Sequence, residues 1–474
     1  MENEEEKTGE TGEAGFDSQR EKQFEELNTL LENRSMRALQ LKLEDMNEFD
    51  VAEFLSEIDE KKRPMVFRML SKETAAEVFA NFDVDDQEQI INSITDSELA
   101  AILEELFVDD AVDMMEELPA NVVKRVMRAA TPDTRRLINQ YLHFPENSAA
   151  SMMTAEFIDL KKYMNVRESI ARIRRIGEDK ETIYTCFVTS ADRRLEGVVS
   201  VKDLLLNDDE TVIEDIMDRN VVYAVTTDDR EEVSGKISDY DLLAIPVVDR
   251  EGRLVGIVTV DDVIDVMEAE TTEDFEKMAA MTPSDKPYSR TAVKDMWKNR
   301  IPWLMFLMLS ATFTSMIITD FEDSLAAQAV LVGFIPMLMG TGGNSGAQAS
   351  TAVIRSISLG DTEPGDAPKV AWKEWRVAVL CGLSLALINF VKMLLVDRLL
   401  LGNGAVTVLV AATVSLSIVF IVMFAKVVGS MLPLLAEKIG VDPAVMANPL
   451  ISTITDAVSL LIYFEMARLV LHLR

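Results

Sequence analysis

NPLISTITDAVSLLIYF (448–464) is the stretch on which the fold turns, because every residue in it is uncharged except the central Asp456. A helix that crosses hydrocarbon needs about 20 predominantly apolar residues, and the surrounding run from Pro443 to Leu471 supplies them. A carboxylate at mid-bilayer costs roughly 2.5–3.5 kcal/mol on insertion scales, so Asp456 should face a pore or a partner and not lipid. One partner would be a structural ion pair with Lys392 or Lys426. The other reading is a cation path. Asn448, Ser452, Thr453 and Thr455 precede Asp456 within about two turns, and Pro449 frees the carbonyl four residues before it. Together they form a cluster of hard oxygens around one charge.

Working back towards the N-terminus, uncharged runs occupy 301–319, 324–354, 377–396 (broken by Lys392) and 399–436 (broken by Lys426). With 443–471 they make five expected spans in residues 301–474. If the preceding half stays cytosolic, Lys294, Lys298, Arg300, Lys369, Lys373, Arg376 and Lys438 fall inside, as the positive-inside tendency asks. Arg398, Arg468 and Arg474 fall outside and dissent. The second run contains GTGGNSGAQAS (340–350), far richer in glycine than a lipid-facing helix. Glycines permit close helix approach and expose carbonyls. Asn344 and Gln348 add amide oxygens on one helical face, so the segment is a packing seam, a pore wall, or both.

The first 299 residues differ in kind. They hold 69 of the 81 acidic and 36 of the 47 basic residues, a net charge of −33, whereas the remainder is at −1. Such a surface repels nucleic acid and anionic lipid alike and attracts cations. Two cysteines (Cys186, Cys381) and two histidines (His143, His472) provide poorly for zinc or copper, so any metal is to be held by oxygen. Residues 1–20 read as an acidic disordered tail, with no apolar core that would make a signal peptide. From 21 to 150, apolar residues recur at helical spacing. AAEVFANFDVDDQEQIINSI (75–94) and LAAILEELFVDDAVDMMEEL (99–118) align on their Asp-Asp pairs, which predicts stacked helix hairpins, an α-helical solenoid. Between 151 and 270, RLEGVVSVKDLL (194–205) and RLVGIVTVDDVI (253–264) align without gaps, each a buried strand running into a helix. Residues 271–300 read as a linker, interrupted by Pro283 and Pro287, with a connecting helix at about 289–299 that runs straight into the first span.

The repeated G-x-x-[ST]-x-x-D pattern (Gly197, Ser200, Asp203; Gly256, Thr259, Asp262) resembles a tandem pair of CBS modules, an α/β unit that senses a small ligand. In many such pairs the S/T-x-x-D positions bind ribose, which makes Ser200, Asp203 and Thr259, with Tyr184 to stack on a base, candidates for a regulatory ATP site. The order of an acidic helical domain, a CBS pair, five spans, GTGGNSG and NPLISTITD resembles the MgtE family of magnesium channels over nearly the whole chain. That resemblance implies a multi-pass protein of the bacterial cytoplasmic membrane, with its N-terminus and CBS modules cytosolic. It also implies a homodimer with the pore between subunits. Asp456 would line the path with Asn344 and Asn448 beside it, and Asp442 would add an acidic oxygen. Glu77, Asp109, Asp113, Asp241, Asp262, Asp265, Glu270, Glu273 and Asp274 would lie near regulatory magnesium sites, although acidic runs are also ordinary solvated surface. Asp262 thus has two claims on it.

Magnesium demands oxygen ligands and dehydrates reluctantly, so a ring of two carboxylates with neutral oxygens suits a hydrated ion. No P-loop is present, so passive conduction driven by membrane potential is expected, not enzymatic work. Two alternatives stay open: transport of another divalent ion such as Co²⁺ or Mn²⁺ or Na⁺-coupled exchange, and a membrane-anchored CBS receptor.

Overall fold

Capping residues placed 24 residues apart set the N-terminal architecture. Asn47, Ser71 and Thr95 each accept a hydrogen bond from a backbone N–H in the first turn of the helix they precede, at 3.0, 3.1 and 3.3 Å. Helices Glu48–Glu57, Lys72–Ala80, Asp96–Glu105 and Ala120–Ala129 pack in series. Arg63–Phe67, Val84–Ser93, Val108–Glu117 and Pro132–Tyr141 form a second stack beside them. Phe54, Phe79, Ile90, Leu99, Val126 and Ile138 are fully buried between the stacks. The helices are short because each holds only one buried stripe, and stacking supplies the core that no single hairpin could. Between repeats, the buried Arg63 guanidinium donates to the carbonyls of Leu55 (2.7 Å) and Ser56 (2.8 Å) and pairs with Asp86.

This computed structural model describes residues 20–474 except Glu146, 285–287, 289–290, 322–327, Ala447 and 473–474, and not the side chains of Asp179 and Asn448. Of the tail expected at 1–20, only Arg20 lies within the described residues; it is part of a helix described over 20–32 and pairs with Glu53 at 2.8 Å. The chain divides into two compact units, Met1–Met267 and Glu268–Arg474.

After the solenoid the first unit contains two three-stranded sheets of identical topology. Strands β1 (Asp159–Lys161), β2 (Thr185–Thr189) and β3 (Leu195–Ser200) run parallel then antiparallel. Strands β4 (Ala224–Val225), β5 (Ala244–Val248) and β6 (Leu254–Thr259) repeat the arrangement. The two motif glycines serve the same purpose. A Cβ on Gly197 would stand 2.7 Å from the Met217 sulfur and 3.0 Å from the Asp218 carbonyl, and one on Gly256 would be 2.7 Å from both the Met153 sulfur and the Thr154 carbonyl. Each glycine therefore admits a neighbouring segment against its strand. Each motif hydroxyl donates to the Asp three residues on, Ser200 Oγ to Asp203 and Thr259 Oγ1 to Asp262, both at 2.5 Å, and Ser200 Oγ also caps its helix by accepting from the Asp203 N–H at 3.0 Å.

In the second unit, four helices among the described residues are long and apolar enough to cross a membrane: Val293–Asp320, Pro364–Leu400, Val408–Lys438 and Pro443–Leu471, the second and fourth including their adjoining turns. The remaining expected span is a 24-residue helix, Ile335–Ser358, whose Gly, Thr, Asn, Ser and Gln content lowers its hydropathy. It packs against both Val408–Lys438 and Asn448–Leu471, so its partners are protein and an apolar surface is not required of it.

The connecting helix runs straight into the first span, as expected: among the described residues the helix Val293–Asp320 begins with its polar turns and continues through Pro302. One boundary differs from expectation: the helix after β6 runs on to Met278, eight residues beyond the expected domain edge, because EAETTEDFEKM contains no Gly or Pro to stop it. Pro449 also behaves differently. It sits in the first turn of Asn448–Leu471, where no helical bond is lost, and so starts the helix instead of opening one mid-span.

Candidate functional site

Small residues bring three helices of the second unit together. Gly346 on Ile335–Ser358 meets Gly429 on Val408–Lys438 backbone to backbone. A Cβ on Gly346 would lie 2.7 Å from Ile451 and 3.3 Å from the Ala425 carbonyl, and one on Gly343 would lie 3.3 Å from the Ser452 hydroxyl. The glycine-rich segment is therefore a packing seam, and the wall it builds carries polar groups outward. Asn344 and Gln348, one turn apart, are both exposed, while Gly342, Gly343, Ser345 and Gly346 are buried.

Asp456 lies half-buried on the last helix, one turn beyond Ser452 and three residues beyond Thr453. Thr453 Oγ1 donates to the Pro449 carbonyl at 3.0 Å and Thr455 Oγ1 to the Ile451 carbonyl at 2.8 Å. Both hydroxyl protons are thus spent on the helix itself, leaving oxygen lone pairs for other donors or cations. Neither candidate lysine neutralises Asp456 among the described residues: Lys392 pairs with Asp397 at 2.9 Å, and Lys426 is buried on its own helix. The Asn448 side chain lies outside the described residues.

Asp442 has a different setting from the one expected of a pathway residue. Its Oδ1 accepts from the Ala444 N–H at 2.7 Å, fixing the turn before the last helix, and its Oδ2 accepts from Lys277 Nζ at 2.5 Å. Lys277 also pairs with Glu273, one turn back on its own helix. Burial opposes the lysine charge, but Asp442 and Glu273 outweigh it and hold the ammonium protonated. Asp274 accepts from the Ser358 hydroxyl at 3.3 Å, and burial together with nearby Asp442 pushes its carboxyl upward. Glu270 lies one turn before Asp274 on the same helix.

In the first unit, acidic groups from separate elements share one neighbourhood. Burial, then Asp110, Asp262, Glu181 and Glu156, push Asp109 up to about 9. Burial, Glu116, Asp110 and Asp262 push Asp113 up to about 7. Burial and the carboxylates of Asp262 and Asp261 bring Glu181 to about 7, and burial and Asp261 raise Asp262 against the help of its Thr259 hydrogen bonds. Asp265 adds to the same repulsion. Glu77 and Asp241 do not join this cluster. Glu77 is raised by burial and by Glu48 and Glu73 of its own stack, and Asp241 occupies a left-handed turn (φ 50°) before β5. Among the described residues no three His, Cys, Asp or Glu side chains converge closely enough to hold a metal outright.

Glu156 and Glu181 escaped the sequence reading. Both lie in irregular segments, before β1 and before β2, where no periodicity marks a facing side.

The nucleotide candidates divide between the repeats. The Val201 N–H donates to the Tyr184 carbonyl at 3.0 Å, which sets Tyr184, its side chain exposed, beside Ser200 and Asp203. Thr259 holds the equivalent place in the second repeat, where Val260 N–H donates to the Leu243 carbonyl at 3.1 Å.

Three family models match the chain. They are a divalent cation transporter family over residues 335–466, the MgtE intracellular N domain over 46–147, and the CBS domain over 213–269. The chain is 38% identical over 450 residues to the magnesium transporter MgtE of Thermus thermophilus, covering 94% of this chain and 98% of that one. It is 29% identical to the magnesium transporter MgtE of Bacillus subtilis, covering 94% and 96%. A crystal structure of the soluble part of a magnesium transporter aligns with a TM-score of 0.51 and 32% identity, covering 53% of this chain and 99% of that one.

Proposed function

Since this chain belongs to the MgtE family of magnesium transporters, a membrane protein with a helical N domain and a CBS pair, we propose that it conducts Mg²⁺ across a bacterial cytoplasmic membrane past Asp456. The observation that carries this reading is a carboxylate without a cationic partner among the described residues, on an apolar helix beside a glycine seam. A lipid-facing acid would be unfavourable by several kcal/mol. An acid lining a water-filled path between two copies of the chain would instead meet a hydrated divalent ion. The exposed Asn344 and Gln348 support the same arrangement, because amide groups on the outside of one bundle find partners or water only against a second bundle or in a path. In such a homodimer two Asp456 side chains would face one ion, which suits Mg²⁺ with most of its water retained.

Regulation follows from the acidic half. At about 5 Å and an effective dielectric of 20, two carboxylates repel by roughly 3 kcal/mol. The Asp109, Asp110, Asp113, Glu156, Glu181 and Asp262 neighbourhood therefore favours separation when empty and closure when cytosolic Mg²⁺ bridges it. Glu270, Glu273, Asp274 and Asp442 would respond in the same sense. Bridging through water suits a site where, among the described residues, no three such ligands converge. High internal Mg²⁺ thus shuts the path, a feedback on uptake.

Liposomes loaded with a magnesium-sensitive dye test the conduction. Wild-type protein admits Mg²⁺ under an inside-negative potential, and Asp456→Asn, eluting as the same oligomer, admits none. Equal flux through the variant would sink the proposal, and preferential entry of Co²⁺ or Mn²⁺ would redirect it to another divalent ion. A regulatory nucleotide at Tyr184, Ser200 and Asp203 is the second reading, favoured by an aromatic ring 67% exposed beside a ribose-type carboxylate. ATP binding lost in Tyr184→Ala and Asp203→Ala is its measure.

A further inference from the structure

The helix Ala367–Lys392 begins with a basic and aromatic corner that the transport reading does not use. Lys369, Trp372, Lys373 and Arg376 are spaced at three and four residues, so they lie along one side, and all four are exposed, as is the adjacent Trp375. The Trp372 and Trp375 rings stack at 5.0 Å with 10° between their planes. The Arg376 guanidinium stands over Trp372, 5.9 Å from its centroid. Two stacked indoles, 58% and 40% exposed, are thus left uncovered by their own chain. Further along the same side, Leu380, Leu383 and Leu387 are 69%, 56% and 67% exposed on a segment apolar enough to cross a membrane. Acidic groups cancel only part of the charge: Asp366 takes Lys369 at 2.7 Å, and Glu374 is half-buried on the helix.

From this juxtaposition we propose that the corner binds an anionic phospholipid of the surrounding membrane. Lys373 and Arg376 take the phosphate, for which a guanidinium offers two parallel N–H donors. The stacked indoles sit at the level of the glycerol backbone, where amphipathic rings are favoured. The acyl chains follow Leu380, Leu383 and Leu387. Charge complementarity selects the lipid: a zwitterionic headgroup brings its own ammonium to the same cations and loses the attraction that each basic residue exerts on an anionic one. The inference rests on the chain lying in a membrane and not on which ion passes, so it survives or fails apart from Asp456.

Bromine in lipid tails quenches nearby indoles, which gives the test. The full chain, with Trp297→Phe and Trp303→Phe removing the other two tryptophans, is reconstituted in phosphatidylcholine with a minor fraction of phosphatidylglycerol, one lipid brominated at a time. Brominated phosphatidylglycerol should occupy the corner about tenfold more readily than its mole fraction predicts. The preference should vanish in Lys369→Gln/Lys373→Gln/Arg376→Gln and persist in the charge-keeping Lys369→Arg/Lys373→Arg/Arg376→Lys. Equal quenching by the two lipids, survival of the preference in the neutralised variant, or its loss in the charge-keeping one would each overturn the proposal. Magnesium flux, measured in the same vesicles, reports separately on Asp456.

Discussion

Asp109 is half-buried, and its Oδ1, which is buried, meets no hydrogen-bond donor among the described residues. Its carboxyl titrates near 9 in the fold against 3.8 in the unfolded chain, so the native state binds the proton more tightly. Stability from this group is present in full below about pH 4 and is lost as pH rises towards 9. Asp113 and Glu181, each near 7, act in the same direction. Cation-free protein should therefore unfold at progressively lower denaturant concentration between pH 5 and 8.5. Asp109→Asn should flatten that slope and stabilise the fold by about 2 kcal/mol at pH 8. Millimolar Mg²⁺ should restore the wild type at pH 8 and do little at pH 5. Urea titrations at a series of pH values read all three outcomes, and a flat wild-type profile would contradict the cluster. Lys277 is a second residue whose role can be isolated. Its ammonium stands between Glu273 and Asp442, so Lys277→Met leaves those carboxylates to repel. Single-channel recordings in magnesium-free cytosolic solution should then show a higher open probability than the wild type.

Among the elements, the solenoid depends on side chains that cross from one repeat to the next. Arg63 is 3% exposed and bonded to two carbonyls, Asp86 and Gln89. Removing it strands a carboxylate, and Arg63→Met should destabilise the first unit by about 3 kcal/mol, measured as a shift in the urea midpoint at pH 7. Much at this scale was legible in the amino-acid order. The Asp-Asp pairs announced the 24-residue helical repeat, and Gly197 and Gly256 marked the strands of both sheets. What escaped had no periodic signature. The helix after β6 overran its expected edge because the acidic run beyond 270 carries no stop signal. Likewise, a lone acidic residue in a loop gives no sign of the side it faces, and Glu156 and Glu181 joined the cluster only through the path of the chain in space. Asp456 and the glycine segment stood out for the opposite reason, since each breaks the rule of its surroundings. Asp442, equally acidic, proved to be tied to a lysine 165 positions away in sequence, a contact that no motif encodes.

Across the whole molecule, the charge is lopsided: of a net −34, all but one unit lies in the first 299 residues. Monovalent salt screens such a field over about 10 Å at 0.1 M, whereas a divalent ion bridges it. Raising KCl should accordingly mimic cytosolic Mg²⁺ only weakly. Protease nicking of the full chain should slow at low millimolar Mg²⁺ and hardly change at tenfold higher K⁺. Equal protection by the two salts would mean that bulk charge, not particular carboxylates, is sensed.

The meeting of Gly346 with Gly429 has a mechanical corollary. Peptide planes that touch without an intervening side chain have no rotamer to absorb a displacement, so these two helices travel as one rigid stave. On the proposed conduction reading, widening of the path would then come from the last helix, which meets this seam through side chains, Ser452 and Ser459 among them. Gly429→Ala, by wedging a methyl group into that joint, should jam conduction even though every oxygen along the route is kept.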